Sequence, residues 1–239
     1  MLVPTSATPS WSERRAKAPE GAIGVPGPLG FQRLRGSLPR YYARGELLYS
    51  PSERQGFVYV LERGLVRVFR LSEAGTETTL FYVAPGEIFG ALPTSDEPAD
   101  DDFAESVQPS RVWKVPRACF EQALETDPRL LLELTRQLGR RLHRTENRLE
   151  DLVFRDVGAR VARVLLELGE RFGQIEGERI RLELPLTQAE VAALVGSTRQ
   201  SVNASLRELE VAGRIERRGR RLLLFEPASL RGAAQPTLG

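Results

Sequence analysis

The chain has 239 residues, of which 41% are hydrophobic and 28% charged, and its formal net charge is +2. This length suits one large or two small domains, and two are expected. No apolar run approaches the roughly 18 residues of a membrane span. Cys119 is the single cysteine, which excludes an internal disulfide and a multi-cysteine metal site. The first 30 residues lack the hydrophobic segment of a signal peptide, so we expect a cytoplasmic protein. We also expect no cofactor and no bound metal.

Residues 1–30 are rich in Pro, Gly, Ala and Ser, which predicts a flexible tail. Short β-prone runs follow from residue 44, each bounded by turn residues: ELLYS, FVYVLE, LVRVFRL, TTLFYV, EIFGAL and RVWKV. Regular short strands of this kind predict an antiparallel barrel, sandwich or jelly roll over residues 31–126. Within it, SEAGTETT is the expected tip of a hairpin, with Gly75 at a positive φ.

A helical period replaces the strand pattern after Asp127. Apolar residues and threonines recur at alternating spacings of four and three over about three heptads, with charged residues on the other faces. Such a stripe on a long helix, predicted over residues 127–155, packs either against its own domain or, as we favour, against a second copy across a dimer axis. The predicted dimer contacts are Leu131, Leu138, Leu142, Thr145, Leu149 and Leu152.

Residues 156–226 predict a second, helix-rich domain, followed by a tail over residues 227–239. VGARVARVLLELGERFG is its first helix, GQIEGER a loop and IRLELP a strand. LTQAEVAALVG is the next helix, with a capping box at its start and Gly196 in a left-handed conformation at its end. A further helix begins after Ser197 or Thr198, and IERRGRRLLLFEP is a β-hairpin. Two helices joined by about three residues around a glycine form a helix-turn-helix.

The second helix of this motif begins with hydrogen-bonding side chains and becomes apolar further on. In DNA-binding helix-turn-helix proteins this end enters the major groove, where Arg bonds guanine and Gln bonds adenine, each through two hydrogen bonds. Base contacts are therefore predicted for Arg199, Gln200 and Asn203. The charge distribution agrees, because residues 187–231 carry eight basic and five acidic side chains, whereas residues 31–126 carry 11 and 14.

Phosphate contacts are expected on both sides of the recognition helix. Hydroxyl side chains at a helix N-terminus suit a phosphate, and the C-terminal hairpin adds five arginines within eight residues. This hairpin makes the unit a winged helix whose wing lies along the DNA backbone. The predicted backbone contacts are Thr187, Gln188, Ser197, Thr198, Ser201, Arg217, Arg218 and Arg220.

The order of these parts resembles the CRP/FNR superfamily of bacterial transcription regulators. The resemblance is carried by GELLY, VLERGLVRV, SEAGTETTLFYVAPGEIFGAL, RRLHRTENRLEDLVFRDVGARVARVLLEL and LTQAEVAALVGSTRQSVNASLRELE, which together span about residues 44–225. It implies an α+β fold: an antiparallel β-roll of the cyclic-nucleotide-binding type, a dimerisation helix, a hinge at Phe154 and Asp156, and a winged helix-turn-helix. It also implies a homodimer that binds a palindromic site in double-stranded DNA, with two half-sites about one helical turn apart, and that activates transcription by contacting RNA polymerase.

By resemblance, Arg199 and Gln200 stand at the positions that read a guanine and its neighbour. The family often has Glu where Gln200 stands, and Gln accepts adenine or tolerates more than one base. Another recognition arginine is replaced by Ala204, which removes one guanine contact relative to a TGTGA-like half-site. The loop at residues 173–177 lies where one polymerase-contacting surface of the family would be.

Cyclic AMP is not an expected ligand. By resemblance, members that bind it supply a Glu for the ribose and an Arg followed by Ser or Thr for the phosphate. Ala91 stands at the position of that Glu, and the acids at residues 100–102 surround the Arg-Ser position, where they would repel a phosphate. Of the hydroxyl pair that contacts the adenine, only Thr145 remains, followed by Glu146. Either an unidentified effector or no effector is left, and we favour no effector.

Other functions have less support in the sequence. An iron–sulfur sensor needs several cysteines, and a haem sensor needs an axial ligand, whereas the only histidine, His143, lies among charged residues of the long helix. No Gly-rich phosphate loop, nucleophile elbow or metal-ligand cluster indicates an enzyme, and the acids of SDEPADDD are typical of a solvated loop. Two alternatives stay open: a regulator gated by an unidentified small molecule, and a module that controls a protein partner.

Overall fold

The computed structural model describes residues 34–234 except 52–55, 74, 76, 93–100, 178, 183–186, 219–220, 226–229 and 231–233. The predicted N-terminal tail, Asp100, Arg220 and all but two residues of the predicted C-terminal tail therefore lie outside the described residues. None of the helices in the described ranges is long and apolar enough to cross a membrane.

Within the described residues the chain forms ten strands and five helices. The N-terminal elements are β1 (Leu38–Tyr42), β2 (Leu47–Tyr49), β3 (Phe57–Leu71), β4 (Glu77–Val83), β5 (Ile88–Gly90), β6 (Asp102–Pro116), α1 (Arg117–Thr126) and α2 (Pro128–Phe154). The C-terminal elements are α3 (Val157–Phe172), β7 (Gln174–Glu176), β8 (Arg179–Leu182), α4 (Gln188–Val195), α5 (Arg199–Val211), β9 (Ile215–Arg218) and β10 (Arg221–Phe225).

Strands β1–β6, which we call the β-roll, form one antiparallel sheet, and β7–β10 form a second. The long strands β3 and β6 pair with each other, and every other strand of the β-roll pairs with one of them. The predicted fold class, an antiparallel β-roll followed by a long helix and a winged helix-turn-helix, is confirmed. The hairpin at SEAGTETT is also present, since β3 and β4 pair with each other and Gly75 has a φ of 75°.

The pattern in the sequence divides FVYVLE from LVRVFRL, whereas the structure joins them in one strand of 15 residues, β3. The predicted break is wrong because Gly64 bends the strand without ending its pairing. The register with β6 shifts on both sides of Arg63, as expected for a bulge next to a strand glycine. Gly64 has a φ of 105°, and a Cβ built on it would lie 2.2 Å from Ser110 Oγ and 2.7 Å from Ser110 Cα.

The substitution Gly64→Ala is expected to lower the free energy of unfolding by at least about 1–3 kcal/mol, because alanine disfavours this backbone conformation and its methyl group would overlap the Ser110 backbone. Urea unfolding measures the change. Gly86→Ala is the matched control, because Gly86 also has a positive φ, 86°, but a methyl group added to it would have no neighbouring atom within 4 Å. Equal losses in the two variants would contradict a role for the contact with Ser110.

The side chains of β3 alternate between two hydrophobic cores. Val58 and Val60 pack with Phe120 of α1 between the β-roll and the helices, whereas Tyr59 and Leu61 pack inside the β-roll. This alternation follows the two-residue period of a strand. Because both faces are buried there, residues 57–61 of β3 are all apolar.

The long helix α2 begins and ends at local capping signals. Asp127 accepts hydrogen bonds from the backbone N–H groups of Arg129 at 2.9 Å and Leu130 at 3.4 Å, and Pro128 follows at the first helical position. At the other end Arg155 is extended, and Asp156 accepts the N–H of Ala159 at 2.7 Å to cap α3. The predicted hinge residues therefore lie at the break between two separately capped helices.

The C-terminal elements share a core with part of the β-roll. Leu65, Tyr82 and Val107 of the β-roll belong to the same buried cluster as the apolar faces of α3, α4 and α5. Arg171 of α3 donates to the carbonyl of Tyr82 at 2.9 Å and to both carboxylate oxygens of Glu87, at 2.9 and 3.0 Å. Burial raises the pKa of Tyr82, so this side chain stays neutral in the shared core.

Two segments differ from their sequence-based prediction. GQIEGER contains strand β7, which pairs with β8 around Gly177, a residue with a φ of 61°. The predicted loop is wrong because residues 174–176 acquire strand geometry only by pairing with β8. In the predicted C-terminal tail, Leu230 is fully buried in the shared core.

Candidate nucleic-acid interface

Helices α4 and α5 form the predicted helix-turn-helix. The capping box at the start of α4 is present: Thr187 Oγ1 accepts the N–H of Glu190 at 3.2 Å, and the Glu190 carboxylate accepts the N–H of Thr187 at 2.5 Å. Gly196 follows α4 with φ 66° and ψ 47°, the left-handed conformation expected there. The chain therefore leaves α4 and enters α5 within three residues.

The N-terminus of α5 is capped by Thr198. Its Oγ1 accepts the N–H of Ser201 at 3.1 Å and lies 2.8 Å from the Ser201 hydroxyl. This settles which of the two candidate residues caps the helix. Ser197 is half-buried and Thr198 is exposed, so the positive end of α5 faces solvent with a hydroxyl group beside it.

Helix α5 is polar and exposed where it begins and apolar and buried further on. Arg199 and Gln200 are exposed, and Asn203 is half-buried. Val202 and Leu206 are buried in the shared core and fix the helix from below. The structure thus brings the three predicted base-reading side chains together on one accessible surface.

Gln188 has a role that the sequence did not reveal. Its Oε1 accepts a hydrogen bond from Asn203 Nδ2 at 2.9 Å and a longer one from Arg199 Nε at 3.4 Å. One side chain of α4 therefore holds two of the predicted base-reading residues. Because the bond uses Nε of Arg199, it is compatible with a bidentate contact from the terminal guanidinium nitrogens to guanine.

The wing strands β9 and β10 pair with each other, with Arg218 opposite Arg221. Arg217 binds the carboxylate of Glu210, at the end of α5, through Nε at 3.0 Å and Nη2 at 2.6 Å. Hydrogen bonds from Arg217 lower the pKa of Glu210. Arg218 forms an ion pair with Glu216. The two described wing arginines of the prediction are thus held by carboxylates of their own chain.

The leucine stripe of α2 is exposed in its middle, whereas two of its leucines contact other parts of the chain. Leu142 and Leu149 are each 61% exposed. Leu138 is partly buried against the core between the β-roll and the helices, so its side chain packs against its own chain. The side chain of Leu152 lies over Gly196, where an added Cβ would come within 2.8 Å of it. The apolar surface also includes exposed Phe154.

The β-roll packs onto α2 through polar side chains of that helix. Gln137 of α2 accepts the N–H of Ile88 at 2.9 Å and donates to the carbonyl of Gly86 at 3.1 Å. Arg141 donates to the carbonyl of Ile88 at 3.2 Å and lies 3.9 Å from the centre of the Phe81 ring. Burial lowers the pKa of Arg141.

Residues that the resemblance assigns to a cyclic nucleotide have other surroundings here. Ala91 is buried, and Asp102 is buried within β6. The Thr145 hydroxyl donates to the carbonyl of Arg141 at 3.2 Å. Inside the β-roll the rings of Tyr49, Tyr59 and Phe89 pack together, with centroids 5.2 to 6.3 Å apart. His143 is exposed, 3.7 Å from the carboxylate of Glu146.

Comparison with known proteins agrees with this architecture. A family model for the cyclic nucleotide-binding domain matches residues 39–127, and one for the Crp-like helix-turn-helix domain matches residues 159–233. A "CRP-like cAMP-activated global transcriptional regulator" of Mycobacterium tuberculosis (strain ATCC 25618 / H37Rv) is 33% identical over 192 residues, which cover 80% of this chain and 86% of that protein. The chain belongs to the CRP/FNR family of transcriptional regulators.

Other CRP/FNR relatives lead to the same assignment. The "Global nitrogen regulator" of Synechococcus elongatus is 30% identical over 200 residues, covering 82% of this chain and 90% of that protein. A solved CRP-family regulator from Thermus thermophilus is 30% identical, with a TM-score of 0.67, over 84% of this chain and 98% of that one. This CRP/FNR regulator is thus a DNA-binding transcriptional regulator.

Proposed function

We propose that this regulator binds a palindromic promoter site as a homodimer, with Arg199, Gln200 and Asn203 reading base edges in each half-site. The observation that carries the proposal is the exposed polar start of α5, positioned by Gln188 and supported by a buried apolar face. A parallel pairing of α2 through its exposed leucines would present two such helices to successive major grooves, about 34 Å apart.

Backbone contacts complete the proposed interface. The ends of α4 and α5 offer the phosphates hydroxyl, amide and N–H groups, and the wing offers guanidinium groups. The proposed contacts are Thr187, Gln188, Ser197, Thr198, Ser201, Arg217, Arg218 and Arg220.

Replacing Arg218 and Arg220 together by alanine is expected to weaken binding to all DNA sequences by a similar factor, because phosphate contacts carry no base information. The slope of log affinity against log salt concentration is expected to flatten by roughly one for each lost contact. Fluorescence anisotropy over a salt series, with cognate and scrambled duplexes, measures both. A loss confined to the cognate duplex would contradict a backbone role.

The proposed regulator is an activator that contacts RNA polymerase. The segment at residues 173–177, which the family resemblance places near such a surface, is a hairpin arm whose Ile175 is exposed. β7 is the edge strand of the second sheet, so the exposed Ile175 side chain is available for a protein contact. In vitro transcription with purified polymerase, comparing the wild type with Ile175→Asp on the same bound promoter, tests it. Equal transcript yields would exclude this arm from the contact.

A genome-wide footprint of the bound protein tests the central proposal. We expect protected sites made of two inverted half-sites whose centres lie about 10 base pairs apart. Gel shifts on the same fragments should show affinity that falls steeply with salt and exceeds that for scrambled DNA. Protection without sequence preference, or single unpaired half-sites, would overturn it.

We further propose that DNA binding does not require cyclic AMP. Three features support this: Ala91 in place of the ribose-binding Glu, a Thr145 hydroxyl bonded to its own helix, and the aromatic rings packed inside the β-roll. The favoured form of the proposal is a dimer that binds its site with no effector in the β-roll. A regulator gated by a small molecule elsewhere is the second candidate, favoured by a cleft beside the hinge.

Titration calorimetry with cyclic AMP is expected to show no stoichiometric binding at micromolar concentration, and its addition is expected to leave the affinity for the footprinted site unchanged. The Mycobacterium tuberculosis relative, whose name describes it as cAMP-activated, is the positive control in the same buffer. Saturable micromolar binding by the present protein, or stronger DNA binding in the presence of cyclic AMP, would contradict the proposal.

A further inference from the structure

A cleft of about 490 Å³ lies where α2 and α3 meet, beside the predicted hinge. Five arginines and three carboxylates contribute to its lining, which gives an excess of positive charge. The charged lining residues are Arg144, Arg148, Arg155, Arg163, Arg171, Asp151, Glu167 and Glu170. None of them belongs to the proposed DNA surface or to the interior of the β-roll.

Arg144 of the cleft and Leu142 of the leucine stripe lie on nearly opposite sides of α2, because two positions turn a side chain about 200° around the helix axis. Arg148 precedes Leu152 of the stripe by four positions, or about 40°, so the cleft comes close to the stripe near the end of α2. Every described lining residue comes from α2, its C-terminal boundary, α3 or Ala234 of the same chain.

The arginines from α2 are only loosely neutralised. Glu167 faces Arg144 at 3.9 Å and Arg148 at 3.8 Å, and Arg144 lies 3.8 Å from Glu87. These nitrogen–oxygen distances exceed those of hydrogen bonds. Burial, followed by the positive charge of Arg171, lowers the pKa of Arg144. The carboxylates of Glu87 and Glu167 act on this pKa in the opposite direction.

Two donor groups in the cleft also lack acceptors. Among the described residues, Arg148 Nε and Arg155 Nη1 are buried and have no hydrogen-bond partner. The Arg155 side chain is only 11% exposed, and its Nε already binds Asp151 at 2.6 Å. Buried donors of this kind are normally satisfied. Because these two atoms are buried, an oxyanion in the cleft would supply the missing acceptors once the two side chains turn toward it.

We propose that this cleft binds a small polyanion, a molecule with at least two negative charges on phosphate or carboxylate oxygens, through Arg144, Arg148 and Arg155. Guanidinium groups donate two parallel hydrogen bonds to either kind of oxyanion, which suits both charge and geometry. The ligand would lie between the C-terminal part of α2 and residues 163–171 of α3, which packs with α5 in the shared core. It would therefore fix the angle between the dimerisation helix and the recognition helix.

The effect of the polyanion on DNA affinity rests on the proposed dimeric DNA binding, whereas the binding of the polyanion itself does not. A ligand that prefers one hinge angle shifts the population toward that angle. By linkage, cognate DNA and the polyanion then change each other's affinity by the same factor. The two proposals can fail independently, because anion binding is measured without DNA.

Calorimetry on the full chain in chloride buffer, with pyrophosphate and citrate as separate probes, tests the site. We expect saturable binding of at least one probe, with one molecule per chain. Pyrophosphate alone would indicate phosphate oxygens, citrate alone would indicate carboxylates, and both would indicate recognition by charge. Binding of neither probe would overturn the proposal.

Substitutions locate any binding that is observed. R144Q combined with R148Q is expected to weaken the anion affinity at least about tenfold, whereas R136Q, an exposed position on another face of α2, is expected to leave it unchanged. R199Q is expected to lose DNA affinity and keep the anion. Unchanged anion binding in the double variant would overturn the site. Circular dichroism confirms folding, and R148Q alone gives the same comparison if the double variant does not fold.

Discussion

A chain in which Leu142 and Leu149 are both replaced by aspartate is expected to be monomeric and to lose most of its affinity for a palindromic site. Each leucine is 61% exposed in the single chain, and burying a leucine side chain contributes about 1.5–3 kcal/mol. The dimer would bury four of them, so placing four carboxylates there instead removes the apolar contribution and adds like-charge repulsion. A monomer then contacts one half-site only.

Sedimentation velocity measures the oligomeric state of this variant, and gel shifts measure its binding to whole sites and to single half-sites. Arg136→Asp is the matched control, because it places an acid on an exposed position of α2 away from the stripe. We expect the control to remain dimeric. A double-aspartate variant that stays dimeric would show that the copies associate through a different surface.

Replacing Arg199 by alanine is expected to weaken binding to the cognate site by about 1–3 kcal/mol, because a bidentate contact with guanine is lost. The loss on scrambled DNA should be smaller, since only the charge contribution disappears there. Arg199→Lys should restore part of the charge contribution without restoring sequence preference, because lysine lacks the planar fork.

Competition gel shifts with cognate and scrambled duplexes separate these contributions. Arg207→Ala is the control on the same helix, since Arg207 is also exposed on α5 but is not among the proposed DNA contacts. It is expected to change the affinity for both duplexes slightly and equally. An equal loss on the two duplexes for Arg199→Ala would exclude this residue from base reading.

Local signals in the sequence were sufficient to predict helices α2 to α5, whereas α1 lies within the predicted β-roll and was not predicted. Asp127, Thr187 and Gly196 act through hydrogen bonds or φ values within a few residues, so their effect can be inferred without knowing the rest of the chain. The polar start and apolar continuation of α5 follow in the same way from a helical period.

Pairing and packing over long distances could not be inferred in this way. β7 exists because it pairs with β8. Strand β3 continues through Gly64 because it pairs with β6 on both sides of the bulge. Leu138 and Leu142 both belong to the stripe, yet the fold partly buries Leu138 against its own domain and leaves Leu142 exposed. Their spacing alone cannot distinguish the two outcomes.

The candidate DNA-binding site shows the same difference between local signals and long-range packing. The residue types at the start of α5 already indicated contact with bases, whereas only the structure shows that Gln188 holds Arg199 and Asn203 and that Glu210 holds Arg217. These partners come from other helices or strands, and side chains separated in sequence meet only after the elements pack. The cleft beside the hinge could not be predicted from the sequence for the same reason.

The sequence by itself therefore determined the succession of β-roll, long helix and winged helix-turn-helix, because periodicity, caps and turns are properties of neighbouring residues. The tertiary structure decided strand pairing, the exposed part of the leucine stripe and the charged surroundings of each arginine. Those features depend on which distant residues the folded chain brings into contact, and the linear pattern contains no measure of that distance.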